Sequence, residues 1–177
     1  EREHTMITTY MNGRIVRNSM KDAHNGIYIG HYSDMLGVKI GETEHDFTAR
    51  WGQISSTSET GFRGLYYYMV GAYGQNTSVV REVLEIIVRR RVSIYAAQHK
   101  KFFNFQGDSF ICSVEACEKF IDFIMENCAK WDKYFEKKKK EIISIISDML
   151  TTGKTFETYA MKKAYILMVL DDCMEEE

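Results

Sequence analysis

The residues that metal or acid–base chemistry would need first are the five histidines, at positions 4, 24, 31, 45 and 99, and they fall singly along the chain. Zinc sites and hydrolytic triads need several donors converging on one point, and no pair here has HExxH or an equivalent spacing. His45 with Asp46 and Glu42 is the best acid–base group on offer, and on a helix surface it reads as solvated charge. Thr152-Gly153-Lys154-Thr155 shares letters with the end of a phosphate loop. The upstream glycine and the preceding buried strand that would aim backbone donors at a phosphate are missing. Gly61 and Gly64, then Gly71 and Gly74, have the spacing of a backbone clamp. They lie in or beside a strongly periodic segment, where close packing of helices explains them. The expectation is a protein that is not an enzyme, with no metal and no cofactor.

Two basic runs, Arg89-Arg90-Arg91 and Lys137 to Lys140, are the candidates for phosphate contact. Neither is interleaved with aromatics as a nucleic-acid platform would be, and the lysines read as a solvated face. The arginines differ, because successive helical residues point about 100° apart, so one of three lies near the buried face and needs a partner there. The net charge of −2 supplies no global field for nucleic acid or anionic lipid. The four cysteines, 112, 117, 128 and 173, form no CxxC pair and read as reduced core thiols. Asn76-Thr77-Ser78 is a sequon in letters only, since nothing resembling a secretory signal precedes it.

The elements that must position these residues read as helices. With 177 residues, 45% of them apolar, the chain suits one domain, and its complete lack of proline leaves few places where a helix is forbidden. Ile7, Tyr10, Met11 and Ile15 share one face of a helix over about 5–20, and 22–30 reads as a turn. Tyr32, Met35, Leu36, Ile40, Phe47 and Trp51 mark a second helix, weakened by Gly37 and Gly41. Phe62, Leu65, Tyr66, Met69, Val70 and Tyr73 repeat at i, i+3, i+4 as a third. Thr77 or Ser78 caps a fourth, and 88–103 continues as a central buried helix. After a turn at 104–109, Phe110, Val114, Cys117, Ile121, Ile124 and Cys128 form an amphipathic helix. Helices over 131–150 and 156–170 follow. Ile142 to Ile146 has the letters of a strand, but its lysine-rich flank argues for helix. The fold class so predicted is all-α, a single domain over residues 1–177, with seven or eight helices bundled around one central hydrophobic helix.

In that order the helices resemble the Bcl-2 family of apoptosis regulators. Tyr10 to Asn18 is similar to the family's first homology helix, particularly that of the nematode member. Leu36 to Phe47, with Ile40-Gly41-Glu42, resembles its short Leu, Gly and acid motif, with Glu42 in place of the usual aspartate. Ile124 to Asn127 followed by Trp131-Asp132 and Phe135 resembles the second homology motif with one extra residue. For the remaining motif, Arg89-Arg90-Arg91-Val92 has the right place and Trp51-Gly52-Gln53 the better letters; Arg91 is aligned with the family arginine. The resemblance covers about residues 5 to 136.

The resemblance implies a surface trough that receives an amphipathic helix of a partner protein, with side chains entering at i, i+3 or i+4, and i+7. Its expected walls are Trp51, Phe62, Leu65, Met69, Val80, Val83, Ile87, Val92 and Tyr95, with Arg91 pairing an acid of the bound helix. It allows a homo- or heterodimer. It also implies a cytoplasmic protein, with attachment to the mitochondrial outer membrane only through segments outside this chain. Two other readings stay open: a helical nucleic-acid-binding domain using the basic runs, and a divergent, for example viral, member of the fold that binds an unrelated host protein.

Overall fold

The computed structural model describes residues 9–11, 14–16, 24–32, 37–46, 62–74, 76–98, 103–106, 109–112, 114–151, 161, 164–166 and 168. They form a seven-stranded mixed sheet with long helices on one face, so the all-helical bundle is overturned. The strands are β1 (Thr9–Met11), β2 (Arg14–Val16), β3 (His24–Tyr32), β4 (Gly37–Asp46), β5 (Phe62–Met69), β6 (Phe103–Gln106) and β7 (Ser109–Cys112). The helices are α1 (Thr77–Gln98), α2 (Val114–Lys137) and α3 (Lys139–Thr151), with a 3-10 turn at Gly71–Tyr73. Across the sheet the order is β2-β1-β5-β3-β4-β7-β6, and every pairing is antiparallel except β1 with β5.

The segments expected to form the first three helices are strands where they are described, apart from Val70 and the 3-10 turn at Gly71–Tyr73, and the physical reason is burial on both faces. Gly64 through Tyr68 are all buried in succession, as are Gly26 through Gly30. A strand covered on both sides shows no polar–apolar alternation, so Leu65, Tyr66 and Met69 mimic a helical stripe. Aromatic and β-branched residues such as Tyr66, Tyr67, Tyr68, Ile27 and Ile29 suit the pleated surface, and here that preference wins. The expected turn at 22–30 and the helix at 32–51 are instead the paired strands β3 and β4. The expected turn at 104–109 is overturned where it is described: residues 104–106 and 109 lie on the paired strands β6 and β7, with Phe105 opposite Phe110.

Two glycines are required by close approach. A Cβ on Gly41 would sit 2.4 Å from the Tyr28 hydroxyl, because the Tyr28 ring lies across its register partner. A Cβ on Gly26 would meet the Tyr68 carbonyl oxygen at 2.1 Å, where backbone cannot yield. Pairing with β3 also shifts at an extra residue, Leu65, between Tyr66 and Gly64, which is a bulge that raises local twist.

The core lies between the sheet and the helices. Ile27, Ile29, Val38, Ile40, Tyr66 and Tyr68 meet Val80, Val83, Leu84, Ile87 and Val92 of α1 and Phe120, Ile124, Cys128 and Phe135 of α2. The central helix was expected to be an inner axle over 88–103; α1 ends at Gln98 and is a one-sided layer, with Ile94 43% exposed. From Thr77 onward helices are present as expected but with other bounds: Phe110 lies on β7, α2 runs unbroken through 128–131 to Lys137, and residues 161, 164–166 and 168 are helical within the expected last helix; Ile142 to Ile146 is helical as its flank argued. Among the described residues no helix is long and apolar enough to cross a membrane.

Candidate functional site

The seats of α1 and α2 come first, because they hold the walls of the site. Near the start of α1, Arg81 is 6% exposed and its Nε donates to Glu42 Oε2 at 3.1 Å. Its Nη1 donates to the side-chain oxygen of Asn25, whose positive φ of 55° places it at the irregular end of β3. Further along, Arg89 Nη2 donates to the Ile40 carbonyl at 2.7 Å and to Glu85 Oε1 at 2.8 Å. A buried guanidinium needs such partners, and these fasten α1 onto β3 and β4.

Helix α2 is seated by tyrosines. Tyr66 OH donates to Asp132 Oδ1 at 2.7 Å, Tyr68 OH to Glu136 Oε1 at 2.6 Å, and Tyr73 OH to the Phe135 carbonyl at 3.0 Å. The match is geometric: two residues along a strand advance about 6.6 Å, and four along a helix about 6 Å. Tyr66 and Tyr68 therefore meet Asp132 and Glu136 as rungs of one ladder. Burial, then the neighbouring carboxylates, push the Tyr66 and Tyr68 phenols well above the usual tyrosine value; burial does the same for Tyr73. These groups stay protonated donors. Burial likewise raises the Cys128 thiol, which donates to the Ile124 carbonyl at 3.0 Å and is not an activated nucleophile.

On the side of α2 away from this ladder, a solvent-open cleft of about 190 Å³ separates the two helices. Arg91, Ile94, Tyr95 and Gln98 of α1 line one wall, and Phe123, Asn127, Lys130 and Trp131 of α2 the other. Both sets recur at helical intervals, i, i+4 and i+7 from Arg91 and from Phe123, so each is a continuous stripe. The floor is aromatic. Tyr95 stacks on Phe123 with ring centres 4.0 Å apart, and Phe123 meets Trp131 edge-on at 6.4 Å. Trp131 meets Tyr66 edge-on at 5.5 Å, which ties the floor to the sheet. Two cations and two amides border it, and no carboxylate is among the lining residues.

Of the residues expected in a partner-binding groove, Arg91 and Tyr95 line this cleft. Leu65, Val80, Val83, Ile87 and Val92 are at most 2% exposed and belong to the core between sheet and helices. Met69 is half-buried at the end of β5, Phe62 begins that strand, and Trp51 lies outside the described residues. Among the described residues the third expected helix is strand β5 over Phe62–Met69, so no trough between a third and a fourth helix is formed there. The α2 wall does not stand out in the sequence beside the core stripe through Ile124 and Cys128. Phe123 stands just off that stripe and is half-buried, and a large aromatic off the core stripe, near an exposed lysine, is the signal that marks a second face.

The other expectations resolve similarly. The acid–base group at 42–46 lies on β4, not on a helix: Glu42 is bound by Arg81, while His45 and Glu44 are exposed and 3.6 Å apart. Of the lysine run, Lys138 is buried and Lys139 lies over the Tyr73 ring at 5.6 Å. Among the described residues no three His, Cys, Asp or Glu side chains are grouped to hold a metal. No protein-family model, no curated protein and no solved structure matches the chain.

Proposed function

We propose that the protein is a binding module whose α1–α2 cleft holds an anchor side chain from a segment of a partner protein. The observation that carries this reading is the cleft between two firmly seated helices, lined by half-buried Tyr95 and Phe123 with the buried Trp131 beneath them. Aromatic pockets with a polar border are where binding energy concentrates, because ring burial contributes much area at little conformational cost. Size limits what enters. At about 30 Å³ per liquid water, 190 Å³ holds roughly six waters, the room of one large side chain and not of a helix about 10 Å across. The partner segment then lies over the cleft and inserts one residue.

Nucleic acid on the basic runs is the weaker alternative. Arg89 is spent on Ile40 and Glu85, Lys138 is buried and Lys139 lies on Tyr73, so the runs present fewer cations than their letters suggest.

Selection of a random peptide display library on the whole protein tests the proposal. Binders are counter-screened on Gln98→Trp, which plugs the cleft from an exposed position. Enriched peptides that lose at least tenfold in affinity on the plugged variant are the expected result. Failure to enrich, or binders indifferent to the plug, would contradict it.

A further inference from the structure

We infer that the anchor the cleft selects is a tyrosine, with its ring against Tyr95 and Phe123 and its hydroxyl donating to the side-chain oxygen of Asn127. The inference rests on the cleft being a partner site, and names the residue that enters it.

Size is the first argument. An apolar cavity of about 150 Å³ is enough for benzene, so the 190 Å³ here suits one six-membered ring carrying a small substituent. The apolar lining is only partly covered: Ile94 is 43% exposed, and the half-buried rings of Tyr95 and Phe123 stack 4.0 Å apart. A ring entering there meets aromatic faces and edges, which pair best offset or edge-on. The polar lining is the second argument. Asn127 is half-buried on the α2 wall, and its Nδ2 donates to the Phe123 carbonyl at 2.7 Å. A carbonyl only accepts, so this bond fixes which end of the amide is which and leaves Oδ1 as an acceptor on the cleft wall. Among the described residues no hydrogen bond reaches that Oδ1.

Filling the cleft with a group that offers no donor would strip water from Asn127 Oδ1 and put nothing in its place, which disfavours phenylalanine, leucine and methionine. A lysine or arginine carries donors but brings a like charge beside Lys130. A tyrosine supplies the ring and the donor without a charge. Its hydroxyl also accepts. Lys130 stands one turn beyond Asn127 on α2, so its ammonium can donate to a hydroxyl held at Asn127, whereas an indole N–H is a donor only.

Side-chain analogues test the assignment by NMR titration of the full chain: p-cresol for tyrosine, with toluene and 3-methylindole as the other arms. An apolar cleft alone would prefer toluene, because burying an unpartnered hydroxyl is unfavourable. The expected result is that p-cresol binds about threefold or more tightly than either other analogue and moves the Asn127 side-chain amide signals. Asn127→Leu and Asn127→Ala, which remove the acceptor, should each erase the preference over toluene while the amide spectrum stays that of the folded protein. Gln98→Trp should abolish binding of all three. Toluene binding as tightly as p-cresol, or a p-cresol preference that survives loss of Asn127, would overturn the assignment. Tightest binding by 3-methylindole would overturn it in favour of tryptophan, and binding untouched by Gln98→Trp would overturn it by placing the ligand outside the cleft. No binding of any analogue would also overturn it, and the display selection then decides separately whether the cleft binds protein at all.

Discussion

The two sides of α2 have similar ingredients and opposite outcomes. Toward β5, aromatic residues meet acids: Tyr66 donates to Asp132 and Tyr68 to Glu136, and Phe135 packs on Tyr68 with ring centres 5.0 Å apart. Toward α1, aromatic residues meet cations and amides around open space. The first side is closed by mutual satisfaction, so changing it should cost stability. The second borders open space, so changing it should cost binding.

The comparison is broken most severely by truncating the closed side. Phe135 is fully buried, and Phe135→Ala should cost about 3–5 kcal/mol of folding free energy in chemical denaturation, since a cavity is left beside Tyr68. Tyr66→Phe, which removes one rung and leaves the 6%-exposed Asp132 short of a donor, should cost about 1–3 kcal/mol in the same assay. A loss below about 0.5 kcal/mol would mean that the ladder is not what seats α2.

Alkaline titration sharpens the same contrast. The Tyr66 phenol is raised in the fold above the ordinary 10.0 of the unfolded chain, chiefly by burial. The folded state therefore holds the proton longer, and its stabilising effect is complete below about pH 10 and lost as pH climbs beyond it. Each such phenol contributes about 1.4 kcal/mol of lost stability per pH unit in that window. Stability followed by circular dichroism from pH 9 to 11 should fall, and fall less steeply in Tyr66→Phe. A parallel fall in both proteins would place the sensitivity elsewhere. The smallest stability effect belongs to the open side: exposed Lys130→Gln should change the unfolding free energy by less than about 0.5 kcal/mol.

How much of this was legible in the sequence follows from which surfaces each segment covers. From Thr77 onward the helices could be read, because α2 and α3 leave one face in water and so show their period; Ile142 and Ile146 are buried while Ile143 and Leu150 are exposed. Before Thr77 the period is hidden. Gly26 to Gly30 and Gly64 to Tyr68 are buried on both faces, and Gly41, which reads as a weak point of a helix, is where Tyr28 passes close by. The lack of proline, taken as permission for helices, permits central strands equally well. Arg91 stood out as one of three consecutive arginines that could not all face water alike, and Tyr95 stood one turn beyond it. Their partners on α2 depend on how two helices distant in sequence are set side by side on a sheet. No local pattern encodes that placement, which is fixed by Arg81 reaching Glu42 and Tyr66 reaching Asp132.

The claim that the open side of α2 is the binding side is tested most directly by amide chemical-shift mapping during titration with a display-selected peptide. Perturbations concentrated on residues 91–98 and 123–131 are the predicted result. Perturbations confined to the lysine run 137–140 or to the β6–β7 hairpin, with the cleft unmoved, would contradict it.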